Sequence, residues 1–269
     1  MKVLAYHKVT KFEFGGTWMP PERFVRQMDA LLEAGFRFRD EAAFLDVLDG
    51  RREDSSGEIL LTFDDGYRGL LERALPALEA RRIPALIFLV SAFVGRENTW
   101  ELDLPGRHFR HLGWDETLDL ARRGFAFGSH ARTHRDLTRI SLEEAREELV
   151  LSKREIEERL GASVRSLSYP FGRLNEAVRR EAVRAGYRAA FTLYPPIDAP
   201  RLDRHALRRE AVYVIDSIGN IKAKLSEGSA FRIEDIKGRM INAFAVLTPV
   251  IKDGLSRGNR TSRRPPRDS

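Results

Sequence analysis

The sequence predicts an α/β protein, a distorted (β/α) barrel of seven or eight strands that resembles a TIM barrel. Strand-like and helix-like segments alternate along most of the chain, which favours a parallel sheet with helices outside it. The stretch "PALIFLV" (84–90) is apolar throughout, as in a parallel strand buried on both faces. A length of 269 residues suits a barrel of about 250 residues. An open, doubly wound sheet is the structural alternative.

The predicted elements follow from hydrophobic patterning. Short apolar runs predict strands at residues 2–6, 58–63, 84–90, 125–129, 165–170 and 187–192. Apolar side chains at helical spacing predict helices at residues 21–35, 69–82, 114–124, 141–161 and 175–186, with a further helix-like stretch at 231–252.

Local signals define several helix ends. Gly35 is a stop signal for the first helix. Pro76 is compatible with the second helix only as a kink or near a start. Ser141 and Glu144 have the spacing of a capping box at the start of the long helix.

The composition limits the kinds of metal site and the cellular location that the sequence predicts. Hydrophobic residues make up 42% of the chain, enough for a substantial core, and there are no cysteines. Any metal site must therefore use His, Asp or Glu. The start of the chain, "MKVLAYHKVT", lacks a signal-peptide pattern, and "INAFAVLTPVI" (241–251) is far short of the ~20 residues of a membrane span. These features predict a cytoplasmic protein.

The charge is unevenly placed. Of the net charge of +6, +4 lies in the tail 256–269, which has five Arg and one Asp. The nearly neutral body argues against a nucleic-acid-binding protein, which shows a basic face. The tail is predicted to be disordered, and the alternative for it is contact with an acidic glycan or peripheral contact with an acidic membrane surface.

Polar residues follow four predicted strands. They are Asp64 and Asp65 in "TFDDG", His130 and His134 in "GSHARTH", the turn "SYPFG" (168–172), and His7 in "AYHKV". Each has an ordinary reading alone, as a helix cap, a turn, or a surface or packed histidine. In a parallel barrel, however, all four strand ends meet at one rim.

Together these residues predict a catalytic metal site. One Asp and two His suit a divalent cation such as Zn²⁺ and leave a coordination position for water or substrate. The other Asp is then available to accept a proton from the attacking water. The chemistry indicated is hydrolysis.

The motifs resemble those of the polysaccharide deacetylases, carbohydrate esterase family 4. "TFDDG" (62–66) matches the first family motif completely, and "SHARTH" (129–134) keeps the His-x-x-x-His core of the second. "SYPFG" stands where the third motif is usually of the Arg-Pro-Pro-Tyr-Gly type. The resemblance covers about residues 1–215.

The resemblance implies a role for each motif residue. Asp64 would be the general base. Asp65, His130 and His134 would hold one divalent ion, Zn²⁺ first and Co²⁺, Ni²⁺ or Mn²⁺ as alternatives. The backbone N–H of Phe171 would donate to the oxyanion.

The resemblance also suggests substrate contacts. Tyr169 and Pro170 would shape the floor of the cleft. Trp100 belongs to the long connection 91–113 and is predicted to border the same cleft, since long loops of this kind often do.

Two departures from the family pattern concern the proton donor and the residue that orients the base. The C-terminal Leu-x-His motif is not evident, and the surroundings of His205 do not resemble it. The start "LAYHKV" instead resembles the circularly permuted branch of the family, which includes the biofilm poly-N-acetylglucosamine deacetylases. That resemblance makes His7 the general acid.

Ser168 occupies the position where the family commonly has an Arg that orients the base. Arg209 in "HALRRE" resembles the arginine that replaces it in the permuted branch, and Arg208 is a competing candidate. Arg165 is less suitable because three strand residues separate it from Ser168, about 10 Å.

The predicted function is metal-dependent removal of the N-acetyl group from an amino sugar in a glycan or glycan precursor, with release of acetate. An O-acetyl esterase or non-glycan amidase with the same site, and an inactive glycan-binding homologue, are the alternatives. Three regions are expected: a catalytic domain (1–215), a helical extension packed on it (216–254) and the basic tail (255–269).

Overall fold

The structure is a computed structural model that describes residues 1–13, 16–99, 109–194, 203–226 and 229–245. Within these ranges the strands are β1 (Lys2–Tyr6), β2 (Lys8–Val9), β3 (Trp18–Met19), β4 (Arg37–Arg39), β5 (Glu58–Phe63), β6 (Leu86–Leu89), β7 (Ala126–Ser129), β8 (Ser166–Ser168), β9 (Ala189–Leu193) and β10 (Leu207–Ala211). The helices are α1 (Pro21–Glu33), α2 (Glu41–Leu48), α3 (Gly69–Arg73), α4 (Leu75–Ala80), α5 (Trp114–Arg122), α6 (Leu142–Leu160), α7 (Glu176–Arg184), α8 (Ile218–Leu225) and α9 (Ser229–Ala245).

Seven parallel strands close into a barrel, which confirms the predicted fold class. Strand β1 pairs with β5 on one side and with β10 on the other, and β6 to β9 complete the ring. Strand β4 pairs with β5 outside the ring. The alternative of an open sheet is excluded because the pairing of β1 with β5 closes the ring that runs from β1 through β10, β9, β8, β7 and β6 to β5.

Two layers of apolar side chains stabilise the barrel. An outer core packs the strands against the helices, and it includes the predicted inner face of α1 with Phe24, Met28 and Leu31. An inner core fills the barrel and includes Phe88 and Phe191. Strand β5 is buried over its whole length because its two faces contribute to both layers.

The local signals behave as their chemistry predicts. Ser141 and Glu144 form the capping box of α6, and Gly161 ends that helix with a left-handed φ of 64°. The predicted helix 69–82 is interrupted at Ala74, so that Pro76 lies in the first turn of α4, where a missing N–H costs no hydrogen bond.

The C-terminal region packs on the barrel through α8 and α9. Helix α8 contacts α1 and α9, and Lys237 of α9 forms an ion pair with Asp216, just before α8. The predicted basic tail (255–269) lies outside the described residues. In the part of the chain that the structure describes, no helix combines the length and apolar character needed to cross a bilayer.

Gly128 of β7 allows strands and side chains to approach closely two residues before His130. A Cβ atom at this position would lie 2.6 Å from ring atoms of Phe88 and 2.9 Å from the carbonyl oxygen of Ser166. We expect Gly128→Ala to lower the free energy of unfolding by about 1–3 kcal/mol through overpacking, measured by urea denaturation.

Gly57 provides the matched control, since a Cβ atom added there would have no neighbour within 4 Å and its φ is not left-handed. Gly57→Ala should change the free energy of unfolding by no more than about 0.5 kcal/mol. Equal unfolding midpoints for the two variants would contradict the close packing at Gly128.

Candidate active site

The polar residues that follow the strands converge at one rim of the barrel. Asp64 and Asp65 come directly after β5, and the two histidines come after β7. Asp65 Oδ1 lies 3.6 Å from His130 Nε2 and 3.4 Å from His134 Nε2. Ligand atoms of Asp65 and the two histidines, all buried, lie within 4.8 Å of one another, so these three residues could hold one metal ion.

The donor chemistry of this group fits a borderline divalent cation. The Nδ1 atom of His130 lies 2.7 Å from the carbonyl oxygen of Ser168. Because a carbonyl only accepts, Nδ1 carries the proton, and the lone pair of the neutral ring is on Nε2, facing Asp65. Burial lowers the pKa of His130, and burial together with His130 lowers that of His134. Both rings are therefore neutral near pH 7, the state that binds metal.

Left-handed backbone positions shape the rim. Asp65, Ala131, His134 and Phe171 are non-glycine residues with φ values of 68°, 59°, 60° and 59°. Such conformations are uncommon outside glycine, cost about 1–3 kcal/mol each, and persist only when the surroundings impose them. Each of the three sequence motifs therefore contains at least one such position, and the second contains two.

Helix α6 holds the loop that carries the histidines. Glu148 accepts hydrogen bonds from the N–H groups of Arg132 and Thr133, at 2.9 and 2.7 Å. Ser152 donates to the carbonyl oxygen of Ala131 at 3.0 Å. These bonds satisfy the backbone of the loop and offset the cost of its left-handed turn.

Asp64 faces a buried arginine. Its two carboxylate oxygens accept from Nη1 and Nη2 of Arg209, each at 2.7 Å, and Arg209 is fully buried. Arg209 also donates to Thr62 Oγ1 at 3.2 Å and to Ser168 Oγ at 2.7 Å. The serine that departs from the family motif thus accepts a hydrogen bond from the arginine that engages Asp64.

The other two candidate arginines lie elsewhere. Arg208 points away from the barrel interior, as strand alternation requires, and pairs with Glu210 and Asp235. Arg165 pairs with Glu41. Of the three arginines considered, Arg209 is the one that contacts Asp64.

Arg209 controls the ionisation of Asp64. Burial alone would raise the pKa of Asp64, but the charge of Arg209 and its hydrogen bonds to the carboxylate hold that pKa well below its ordinary value. The carboxylate is therefore ionised at neutral pH. His7 Nε2 lies 3.8 Å from Asp64 Oδ2, so the predicted base and acid are near neighbours.

The residues of the third motif differ in exposure. Tyr169 is fully buried, and its hydroxyl donates to the carbonyl oxygen of His205 at 2.9 Å; Pro170 is also buried. Both buried residues support the turn, and their predicted contact with substrate stays a prediction. The Phe171 ring packs 4.7 Å from that of His134, which places this turn beside the candidate metal group.

The structure places two further histidines, His205 and His111, but not the tryptophan predicted from the sequence. Trp100, predicted to contact substrate, lies outside the described residues. His205 lies before β10, at the opposite end of the barrel, and its Nε2 is 2.9 Å from the carbonyl oxygen of Tyr187. Sequence reasoning gave His111 no role, yet it is buried, and its Nδ1 lies 2.7 Å from the carbonyl oxygen of Asp65. Only its place in the long connection 91–113 pointed toward it.

The closed parallel barrel, with an Asp–His–His group and an arginine-held carboxylate at its C-terminal rim, defines a hydrolase-type site in an α/β barrel. Comparison with known families gives a narrower class. Residues 51–190, more than half of the chain, match the family model described as polysaccharide deacetylase. The chain belongs to the polysaccharide deacetylase family, whose members are hydrolytic deacetylases.

The sequence identity to known relatives is low, but the matches cover more than half of this chain. YxkH of Bacillus subtilis, provisionally named a polysaccharide deacetylase, is 24% identical over 212 residues, 79% of this chain and 71% of that protein. The poly-β-1,6-N-acetyl-D-glucosamine N-deacetylase of Staphylococcus aureus is 23% identical over 160 residues, 56% of this chain and 53% of the relative. The Streptococcus pyogenes deacetylase PplD, solved with acetate, superposes with a TM-score of 0.73 at 19% identity, covering 84% of this chain and 98% of that one. The structural likeness shows the shared fold.

Replacing Arg209 by lysine should distinguish the effect of its charge on stability from the effect of its two hydrogen bonds to Asp64. Arg209→Lys keeps a cation but loses the two parallel N–H···O bonds to Asp64. We expect the free energy of unfolding at pH 7 to fall by about 2–4 kcal/mol, measured by urea denaturation. Arg208→Lys, on the outer face of the same strand, is the control and should cost about 1 kcal/mol or less.

The difference in the free energy of unfolding between wild type and Arg209→Lys should become smaller at acidic pH. Because the folded-state pKa of Asp64 is lowered, its stabilisation is complete above the ordinary aspartate pKa and is lost as the pH falls toward the folded-state value. The stability gap between wild type and Arg209→Lys should therefore narrow below about pH 4. A gap that widens on acidification would contradict an ionised Asp64.

Proposed function

We propose that this protein is a metal-dependent de-N-acetylase that removes the acetyl group from an amino sugar in a glycan or glycan precursor. The observation that carries the proposal is the ionised Asp64, held by Arg209 beside the Asp65–His130–His134 group. Family membership and the name of the S. aureus relative support an N-acetylated glycan as substrate.

In this proposal Asp65, His130 and His134 would hold the cation, and Zn²⁺ suits their donor set best. When bound, the cation would supply Lewis-acid polarisation of the acetyl carbonyl. The protein's own groups perform the proton transfers and stabilise the developing charge.

Asp64 is the proposed base. Its carboxylate accepts a proton from the water that attacks the acetyl carbonyl carbon. The two bonds from Arg209 fix both oxygens in place, so the carboxylate meets the water in one orientation. Arg209 is thus a positioning residue, and its charge keeps Asp64 ionised.

His7 is the proposed acid. An amine cannot leave as an anion, so cleavage of the C–N bond requires a proton on the departing nitrogen. His7 follows β1 at the same rim and is partly exposed, with 16% of its side chain accessible. The products are acetate and a free amino sugar.

Phe171 is the proposed oxyanion donor. Its left-handed backbone turns the peptide unit at the end of β8, beside His134. A fixed N–H aimed at the developing negative charge lowers the barrier without reorganisation during the reaction.

The proposed reaction can be tested by acetate release. We expect the purified protein to release acetate from N-acetylglucosamine oligomers, to lose this activity with a chelator, and to recover it with Zn²⁺ or another divalent ion. O-acetylated sugars serve as the comparison. Activity that persists after complete metal removal would overturn the metal assignment. Release of acetate from O-acetylated sugars alone would show that the substrate is an ester and not an amide.

The two neighbouring aspartates should have different roles. Asp64→Asn should retain bound metal but lose about 10² or more in kcat, because the proton acceptor is gone. Asp65→Asn should instead lose the metal, measured as metal content per chain. His7→Gln should also keep the metal and lose kcat by a similar factor.

The contrast among these variants decides the assignment. Wild-type turnover in Asp64→Asn, with metal bound, would rule out Asp64 as the base. Metal loss in Asp64→Asn but not in Asp65→Asn would exchange the two roles. Unfolding curves recorded alongside show which losses arise from misfolding.

A further inference from the structure

Helix α9 presents apolar side chains to the outside of the protein. Ile233, Ile236 and Met240 are 65%, 60% and 59% exposed. At 100° per residue, these positions fall within about 60° of one another and form one stripe along the helix. We call these three residues the α9 stripe.

The face of α9 that lies against the barrel includes charged side chains. Glu234 is buried and accepts from Asn220 at 2.8 Å, and Asp235 forms ion pairs with Arg208 and Arg239. A helix packed on a globular protein normally buries its apolar stripe. Helix α9 instead leaves the three residues of its stripe exposed while Glu234 is buried.

The orientation of α9 is fixed by close contacts. A Cβ atom on Gly238 would lie 1.9 Å from the hydroxyl oxygen of Tyr194, so this glycine permits direct contact between helix and barrel. Phe231 packs beneath the cations of Lys2 and Arg208, 5.0 and 4.8 Å from its ring centre. These contacts hold α9 in the orientation that leaves the α9 stripe exposed.

The end of α9 reaches the catalytic rim. Ile241 packs against a cluster that includes Tyr194 and Tyr213, which come just after β9 and β10. From there 24 residues of sequence follow, 246–269. They begin with the apolar "VLTPVI" and contain six Lys or Arg against two Asp.

An apolar stripe next to a basic, partly apolar segment matches the chemistry of an anionic lipid surface. Amphipathic helices lie in the membrane interface with their apolar face among the acyl chains, and basic residues contact acidic headgroups. A second copy of the chain is less well matched, because both copies carry the same net charge of +4 in residues 246–269, and like charges repel.

We propose that the α9 stripe docks on an anionic membrane surface, with the basic segment 246–269 contacting the headgroups. Docking in this way brings the catalytic rim next to the bilayer. The proposal concerns the location of the enzyme and is independent of the reaction that it catalyses.

The test is flotation of the full chain with lipid vesicles. Vesicles of phosphatidylcholine mixed with phosphatidylglycerol are compared with phosphatidylcholine alone. The test variant is Ile233→Gln, Ile236→Gln and Met240→Gln, which removes the stripe without changing the charge or lowering the helix propensity. The control is Leu142→Gln, Val150→Gln and Val183→Gln, three exposed apolar residues of α6 and α7.

We expect the wild type and the control to float with the anionic vesicles, and the stripe variant to bind about tenfold or more weakly. Absence of flotation would overturn the proposal, and so would equal binding by the stripe variant, which would assign binding to the tail alone. Sedimentation velocity provides the remaining outcome. A dimer that the stripe variant dissociates, without vesicle binding, would show that a second copy covers the stripe.

Discussion

The ion pair between Arg209 and Asp64 is the constraint on which the site depends. Removing both charges from water costs several kcal/mol for each, and the pair is stable only if its geometry and hydrogen bonds offset that cost. The compensation comes from two parallel bonds between the side chains and from the hydroxyls of Thr62 and Ser168. These groups belong to β5, β8 and β10, which only a closed barrel brings together.

This constraint also explains how two adjacent carboxylates acquire different environments. Asp64 is turned toward Arg209 in the barrel interior. Asp65 has a left-handed backbone, with φ of 68°, and its carboxylate lies beside His130 and His134. The change of backbone conformation between neighbouring residues separates a carboxylate held by a guanidinium from one suited to a cation. Two carboxylates that would repel each other in an ordinary turn therefore face different groups, a guanidinium for Asp64 and two imidazole rings for Asp65.

Local sequence predicted most of the fold but not the strand that completes it. Strand β5 is predicted by its apolar run and the long helix α6 by its capping box. Strand β10, "LRREA", has no such signal, because its inward position is Arg209 and not an apolar residue. The motif residues at the strand ends were equally visible, whereas the engagement of Asp64 by Arg209 was suggested only by resemblance. His111 shows no signal beyond its place in the long connection 91–113, since its contact is with a backbone carbonyl distant in sequence.

The position of β10 couples barrel closure to the chemistry. His7 follows the first barrel strand and Arg209 lies on the last, and both residues fall outside the range 51–190 that matches the family model. Strands β1 and β10 pair with each other, and β1 pairs with β5. The motifs that follow the central strands can thus be recognised on their own, but Arg209 reaches the carboxylate of Asp64, the proposed base, only when β10 takes its place in the ring. Arg208, on the outer face of β10, contacts α9. The same strand therefore connects the interior carboxylate with the surface helix that we propose to dock on lipid.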